Sequence, residues 1–371
     1  MNKRLITLNG LAILAVVVNH AAAWGQIAMI LWTHRYRPVA VPNYDQVGTP
    51  AYYVFLVIRQ LTNFSVPAFL FICGLFIAYA LRERSLPASW KIVRARLIGL
   101  LAPYLVWSSV AFAGDALQGI YYPVLGYLGL LVSQGAVGLF YFVPLLCYLY
   151  LLSPFVIAFA KLRPGLLLLV TAAIQLVTIA VNTLSLYRVD VPGLQQMLIL
   201  TPTWSLPRWA FFFALGLVIS FHAERVQHWL RRYKWSILLA TVALAVLNVA
   251  EAELIYRLKR PLWYPYAGIG TLSYNLYGVA FILCYLAFSG VSLPFSRALY
   301  QLGTRSYGIY LLHYLLMTLV AKVIYRFVPW LLGQQLLYQP ILLVVGFGGV
   351  LLLMATVSRS PMRRYYRFLF G

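Results

Sequence analysis

The chain has 371 residues, of which 63% are hydrophobic and 10% are charged, and its mean hydropathy is +0.83. This composition excludes an ordinary soluble domain, in which about a quarter of the residues are charged. The net charge is +22, but the Lys and Arg residues lie between apolar runs, where they favour contact with lipid head groups over binding to nucleic acid.

Apolar segments of membrane-spanning length recur along the chain and predict an all-α, polytopic membrane bundle of about ten transmembrane helices in a single domain. An interfacial helix is predicted at Tyr52–Asn63. The predicted spans, in chain order, are Leu5–Trp32, Ser65–Leu81, Leu97–Phe112, Val137–Ala160, Leu166–Leu184, Trp209–Phe221, Ser236–Val249, Ile269–Phe288, Arg305–Val323 and Leu342–Val357.

The Lys and Arg residues predict the orientation of these spans. Most of them fall in loops on the side of the N-terminus, including Arg82–Arg96, His222–Lys234 and Ser289–Gln301. The opposite loops, among them Thr33–Pro50 and Glu251–Tyr266, carry fewer. Because cytoplasmic loops are enriched in basic residues, both termini are expected to be cytoplasmic.

The first predicted helix carries Asn9 near its start and His20 well inside the apolar run. The two residues are eleven positions apart, so their side chains point from the same helix face, with a rise of about 16 Å between them. An ionisable side chain at this depth is costly and therefore indicates a functional site. The alternative is a packing histidine that is bonded to a neighbouring helix.

Five segments combine histidine, arginine or proline with aromatic and aliphatic residues: LNGLAILAVVVNH at Leu8–His20, SVPAFLFICGL at Ser65–Leu75, RARLIGLLAPYLVW at Arg94–Trp107, LFYFVPLLCYLYLLSP at Leu139–Pro154 and LGTRSYGIYLLH at Leu302–His313. In this order they resemble the motifs of the integral-membrane acyltransferase family three. Those motifs are a first-helix basic residue followed after ten residues by His, a VPxFFFLSGF stretch, an arginine run ending in Pro-Tyr and a nearby Trp, a WFLPxL helix and a SYGIYLLH helix.

The resemblance implies that an acyl group, most simply acetyl, moves from cytoplasmic acyl-CoA to a hydroxyl of an extracytoplasmic glycan or glycolipid. It implies a multi-pass protein of the bacterial cytoplasmic membrane whose partners are acyl-CoA (acetyl-CoA) as co-substrate, the acceptor and membrane lipid. No bound cofactor, metal or nucleic acid is expected. An acyl-histidine intermediate and direct transfer both stay open.

The resemblance also implies roles for particular residues. The general base is His20, and Asn9 orients the base or the donor. The remaining assignments are donor binding by Arg94, Arg96 and Arg305 and a supporting polar centre of His313, Tyr104 and Trp107. Arg59 is assigned from its position instead, because it is flanked by apolar residues near the predicted outer surface, where we expect it to contact an anionic acceptor such as a lipid-linked sugar.

Each assignment has a structural alternative. His313, Tyr104 and Trp107 are also typical packing residues, the arginines also fit a lipid-facing positive cluster, and Arg59 also fits snorkelling at the surface. Glu251 and Glu253 are expected in a solvated loop.

Two positions depart from the family motifs, because Asn9 stands where the family has a basic residue and Cys73 stands where it has Ser. An inactive homologue is therefore one alternative function. A transporter or flippase of a lipid-linked or anionic solute is another, although the sequence has no internal repeat that would favour it.

Overall fold

The computed structural model describes residues 2–32, 46–187, 189, 191–258 and 270–371, and the regular secondary structure in these ranges is helical. The predicted loop residues 33–45 and 259–269 lie outside the described part. The α-helices are α1 (Asn2–Ile30), α2 (Pro50–Leu61), α3 (Ser65–Leu81), α4 (Leu86–Ala116), α5 (Val124–Val132), α6 (Phe142–Leu162), α7 (Pro164–Leu186), α8 (Leu194–Leu200), α9 (Ala210–Phe221), α10 (Ala223–Arg232), α11 (Lys234–Leu258), α12 (Leu272–Ala287), α13 (Ser296–Thr304), α14 (Ser306–Phe327), α15 (Gln335–Leu343), α16 (Val350–Arg359) and α17 (Tyr366–Phe370).

Eight helical segments among the described residues are long and apolar enough to cross a membrane. Two shorter apolar helices, α9 and α12, coincide with two further predicted spans. The predicted all-α polytopic membrane bundle is therefore confirmed, while the cytoplasmic position of both termini stays a prediction. The eight segments are Lys3–Ile30, Pro50–Leu81, Leu86–Ala116, Gly138–Leu162, Pro164–Leu186, Lys234–Arg257, Ser306–Phe327 and Gln335–Arg359.

The chain divides into two compact units. Unit 1 comprises Met1–Val66 and Trp235–Pro361, and unit 2 comprises Pro67–Lys234 and Met362–Gly371. In unit 1, helix α1 packs against α2, α13, α14 and α15. In unit 2, helix α6 packs against α4, α7 and α9, and the C-terminal α17 packs against α4. The expectation of a single domain stays a prediction.

Glycines allow helix backbones to touch in both units. In unit 1, a Cβ on Gly10 of α1 would clash with the Leu299 carbonyl of α13, and a Cβ on Gly303 of α13 would clash with the Ile6 carbonyl of α1. In unit 2, Gly74 of α3 and Gly216 of α9 face each other's helix backbones in the same way. Small residues of this kind drive helix association in lipid, where apolar burial contributes little.

Replacing Gly10 with alanine is therefore expected to destabilise the protein by about 1–3 kcal/mol, because the added methyl group forces α1 and α13 apart. Gly99→Ala on α4 is the matched control, since a Cβ there meets nothing within 4 Å. Thermal unfolding in lipid or mild detergent measures both variants. A midpoint for Gly10→Ala equal to that of the control would contradict this description of the crossing.

Several predicted loops are helical. The predicted cytoplasmic loop Arg82–Arg96 is wrong beyond residue 85, because α4 begins at Leu86 after Ser85, an extended residue at the N-cap position. Arg94 and Arg96 lie on the first turns of this membrane helix, where long basic side chains can extend toward the head groups. The short helices that the sequence missed are α5, α8, α10, α13 and α17.

Two predicted spans are longer than expected. Helix α11 continues to Leu258 rather than ending near Val249. The last span begins at Gln335 and includes Pro340 and a π-helical turn, Val344–Gly349, before α16. Polar residues and proline, which usually mark a helix end, lie inside both helical segments.

Candidate active site

Helices α1 and α14 bring two histidines together in unit 1. The ring centroids of His20 and His313 lie 5.3 Å apart, and the ring planes are tilted by 30°. Tyr314, the next residue of α14, meets the His20 ring edge-on with centroids 5.5 Å apart. The structure thus joins the two histidines that the sequence assigned to one polar centre, while their chemical roles remain predictions.

The π-helical turn Val344–Gly349 packs against both α1 and α14 close to the two histidines. A Cβ on Gly346 would clash with Met317 of α14 and would lie 3.0 Å from Val17 of α1. Val17 and Met317 each lie about one helical turn from their histidine. Because Gly346 has no side chain, the π-helical turn can pack between α1 and α14. Single π-helical turns are frequent at functional sites.

The hydrogen bond of His313 determines which of its ring nitrogens carries the proton. Its Nδ1 lies 2.9 Å from the carbonyl oxygen of Ile309. Because a carbonyl can only accept, Nδ1 must donate, and in the neutral ring Nε2 is then a hydrogen-bond acceptor. His313 is 1% exposed, and its Nε2 has no hydrogen-bond partner in the described part of the chain. A buried acceptor without a partner is unusual in a folded protein and indicates a place for a ligand.

His20 is only half-buried, unlike His313. Neither of its ring nitrogens forms a hydrogen bond to another residue within the described ranges, and its contacts there are with the His313 and Tyr314 rings. Its ring nitrogens are therefore available to a reactant. This fits a general base better than it fits a packing histidine, whose nitrogens would be bonded to the neighbouring helix.

Arg59 of α2 places a positive charge in the same unit. Its side chain is 9% exposed, and its Nη1 donates to Gln26 Oε1 of α1 at 2.8 Å. It acts electrostatically on His20. Asn19 of α1 fixes this part of α2 by donating from Nδ2 to the Arg59 carbonyl at 3.0 Å and to the Thr62 hydroxyl at 2.8 Å. Snorkelling at the surface does not describe such a buried guanidinium.

A comparison with protein-family models matches residues 2–357 to the acyltransferase domain of the acyltransferase 3 family. The chain belongs to this family. The match covers both units almost completely and confirms the suspected family. It supports an acyltransferase function and an integral membrane protein. Comparisons with curated proteins and with solved structures gave no match.

Asn9 holds helices together at the motif position where this acyltransferase departs from its family. Its Nδ2 donates to the Gly303 carbonyl at 2.9 Å and to the Ser306 hydroxyl at 2.6 Å. Asn9 thus ties α1 to the junction of α13 and α14, about 16 Å along α1 from His20. Its predicted role in orienting the base or donor stays a prediction.

Arg4, a basic residue that precedes the first motif, caps the C-terminal end of α12. Its guanidinium donates to the backbone carbonyls that follow α12, including that of Val291 at 2.9 Å, and to the Tyr285 carbonyl at 3.2 Å. It also lies 5.0 Å from the centroid of the Tyr285 ring. These bonds stabilise the C-terminal end of α12, where the helix dipole is negative, and they occupy the Arg4 guanidinium. Arg4 therefore does not substitute for the basic residue that Asn9 replaces.

The three arginines predicted to bind the donor are exposed. Arg305 lies at the junction of α13 and α14 in unit 1, and Arg94 and Arg96 lie on the first turns of α4 in unit 2. Donor binding by these arginines stays a prediction.

Tyr104 and Trp107, predicted to support the polar centre, both bond to backbone carbonyls of unit 2. The Tyr104 hydroxyl donates to the Leu131 carbonyl at 2.7 Å, and Trp107 Nε1 donates to the Leu369 carbonyl at 2.7 Å. Trp107 also stacks on Phe370 of α17. These contacts fit the packing alternative, and the supporting role of both residues stays a prediction.

The expectation that Glu251 and Glu253 lie in a solvated loop is wrong. Both are on α11, where Glu251 accepts a hydrogen bond from the Ser273 hydroxyl and Glu253 accepts one from the Tyr52 hydroxyl. Glu253 also pairs with Arg257 at 2.8 Å. No group of three or more His, Cys, Asp or Glu residues among those described could hold a metal ion.

Sequence reasoning missed Asn19, Gln26 and Tyr314. Asn19 and Gln26 are seven positions apart in an otherwise apolar run, a spacing of about two helical turns that places them near one face. That spacing was a usable signal. Tyr314 had none, because tyrosine is abundant in this chain, with 28 residues.

Proposed function

We propose that this acyltransferase moves an acyl group, most simply acetyl, from cytoplasmic acyl-CoA to a hydroxyl of an extracytoplasmic glycan or glycolipid. The observation that carries the proposal is the pair of histidines in unit 1. His20 has accessible ring nitrogens, and His313 beside it has a buried acceptor nitrogen without a partner among the described residues. A hydroxyl that must lose its proton needs acceptors of this kind.

In the proposed reaction His20 is the general base. The acceptor oxygen attacks the thioester carbonyl carbon while His20 takes the hydroxyl proton. The carbon–sulfur bond then breaks, the ester forms, and the coenzyme A thiolate takes the proton back from His20. The developing oxyanion needs hydrogen-bond donors or a positive charge, and the donor's phosphates need cations. Arg94, Arg96 and Arg305 are proposed to hold the donor.

The proposed compartment is the bacterial cytoplasmic membrane, and the proposed role is O-acetylation of polysaccharide in the cell envelope. The proposal puts the N-terminal end of α1 at the cytoplasmic face, and the basic residues Lys3 and Arg4 at that end support it. His20 then lies about two thirds of the way along α1, at a depth that an acceptor entering from the opposite side can reach. A membrane-embedded site of this kind allows a cytoplasmic donor to serve an acceptor outside.

Release of free coenzyme A tests the function. The purified protein in lipid is supplied with acetyl-CoA and a mixed envelope-glycan extract, and free thiol is measured over time. We expect release that requires the protein, the donor and the extract together. No release and no donor binding, with movement of an anionic glycolipid between leaflets in the absence of donor, would contradict the proposal and favour a flippase.

A further inference from the structure

Arg59 is a buried cation that is not paired with an Asp or Glu among the described residues. Its guanidinium is nine-tenths buried and donates to Gln26, whose amide oxygen is neutral. No Asp or Glu within the described ranges pairs with it, and its Nε has no hydrogen-bond partner there. A buried charge is strongly unfavourable unless it is paired and fully hydrogen-bonded. The site is therefore incomplete without an anion.

Other buried polar atoms near His20 also lack partners among the described residues. His313 Nε2 is an unfilled acceptor beside the His20 ring. Trp24 Nε1 is an unfilled donor, and the Trp24 ring stacks on Tyr314 with centroids 6.0 Å apart. Tyr314 in turn meets the His20 ring edge-on. The unfilled atoms thus comprise donors for an anion and an acceptor for a hydroxyl, carried by α1 and by α2 and α14, which pack against it.

We propose that Arg59 and Gln26 form an anion-binding subsite beside His20 that holds a phosphate or carboxylate of the acyl acceptor. This inference rests on the proposed function and narrows its substrate class to anionic glycans or glycolipids whose charged group is close to the hydroxyl that is acylated. A guanidinium fork is suited to bidentate binding of such groups. Gln26 holds the fork in place without neutralising it.

The position of Gln26 on α1 distinguishes the acceptor from the donor as the source of this anion. Gln26 lies four residues before the C-terminal end of α1, beyond His20 and far from Lys3 and Arg4 at the opposite end. With the N-terminus cytoplasmic, a donor phosphate has to come from the Arg4 side of His20. The acceptor approaches His20 from the Gln26 end of α1, so it contacts the subsite before it reaches His20.

The decisive variant is Gln26→Glu, which changes one amide to a carboxylate of the same shape beside Arg59 Nη1. The carboxylate of the new glutamate then occupies the subsite in place of an added anion. We expect a higher unfolding temperature without ligand and at least a tenfold weaker affinity for an added anion. Gln118→Glu, which makes the same change at an exposed residue at the end of α4, is the matched control and is expected to bind like the wild type.

The binding probe is glucose 1-phosphate, with methyl glucoside as its neutral counterpart, and thermal unfolding in nonionic detergent is the readout. We expect saturable stabilisation of the wild type by glucose 1-phosphate only. Arg59→Gln should lose this stabilisation, and Arg59→Lys, which keeps the charge, should retain part of it. Equal stabilisation of the wild type, Gln26→Glu and Arg59→Gln, or no stabilisation of the wild type, would overturn the subsite.

The same measurement with acetyl-CoA as the ligand distinguishes a phosphate of the donor from a phosphate of the acceptor. If Arg59→Gln and Gln26→Glu lose stabilisation by acetyl-CoA but not by glucose 1-phosphate, the assignment to the acceptor is overturned. These measurements do not depend on turnover. Intact glucose 1-phosphate binding in a protein that never releases coenzyme A would overturn the proposed function alone, whereas turnover without Arg59-dependent anion binding would overturn the subsite alone.

Discussion

Replacing His20 with alanine is expected to lower the rate of coenzyme A release by about 10²- to 10⁴-fold, the usual contribution of a positioned general base. The loss follows from the accessible ring nitrogens of His20, which accept the hydroxyl proton in the proposed reaction. Because the side chain forms no hydrogen bond to another described residue, its removal should leave the fold intact. The assay is the release of free thiol from acetyl-CoA in the presence of the glycan extract.

His228→Ala is the control for this variant, because His228 is an exposed histidine on α10 of unit 2. It is expected to keep the wild-type rate. The two variants should also have unfolding temperatures close to that of the wild type. A His20→Ala protein that is folded and retains the rate of His228→Ala would show that the base lies elsewhere.

Replacing His313 with alanine is expected to lower the same rate by about 10²-fold. His313 offers a buried acceptor nitrogen beside His20, with its proton held on Nδ1 by the Ile309 carbonyl. Because residues that act as a unit have non-additive effects, His20→Ala,His313→Ala should be hardly slower than His20→Ala alone. A double-mutant cycle on the rate of coenzyme A release measures this coupling.

The reference cycle pairs His20→Ala with His222→Ala. His222 contacts the Ala160 carbonyl through its Nε2 at 3.1 Å and has no contact with the His20 ring among the described residues, so we expect its fold-change to multiply with that of His20→Ala. If the effects of His20→Ala and His313→Ala also multiply, the two histidines do not form one centre. Their contact would then be a matter of packing.

The sequence was sufficient to predict the long apolar helices, but it predicted neither all of their ends nor the short helices outside them. Long apolar runs require helices in lipid, because each backbone polar group must be bonded within its own segment. The charged residues on α4 and α11 predict loops, but the structure has them on helices. Long basic side chains can extend from α4 toward the head groups, and Glu251 and Glu253 accept hydrogen bonds from hydroxyl groups of neighbouring helices.

For the site, the sequence indicated His20 and His313 as intramembrane histidines, and the family resemblance assigned both to one polar centre. Their contact depends on the crossing of α1 with α13 and on the packing of α14 beside α1, which no local pattern specifies. The hydrogen bond between Arg59 and Gln26 could not be predicted either, because the sequence shows only that Arg59 has apolar residues on both sides of it. Asn9 was recognised as a departure, but its bonds to Gly303 and Ser306 required the structure.

The most direct test of the account follows the acyl group itself. Acetyl-CoA carrying a labelled acetyl group is incubated with the glycan extract and with either the wild type or His20→Ala in lipid, and the label is then measured in the glycan fraction. The account predicts an alkali-labile ester, formed in step with coenzyme A release by the wild type and absent with His20→Ala. Label found only as free acetate, or the same amount of ester with both proteins, would contradict acyl transfer through His20.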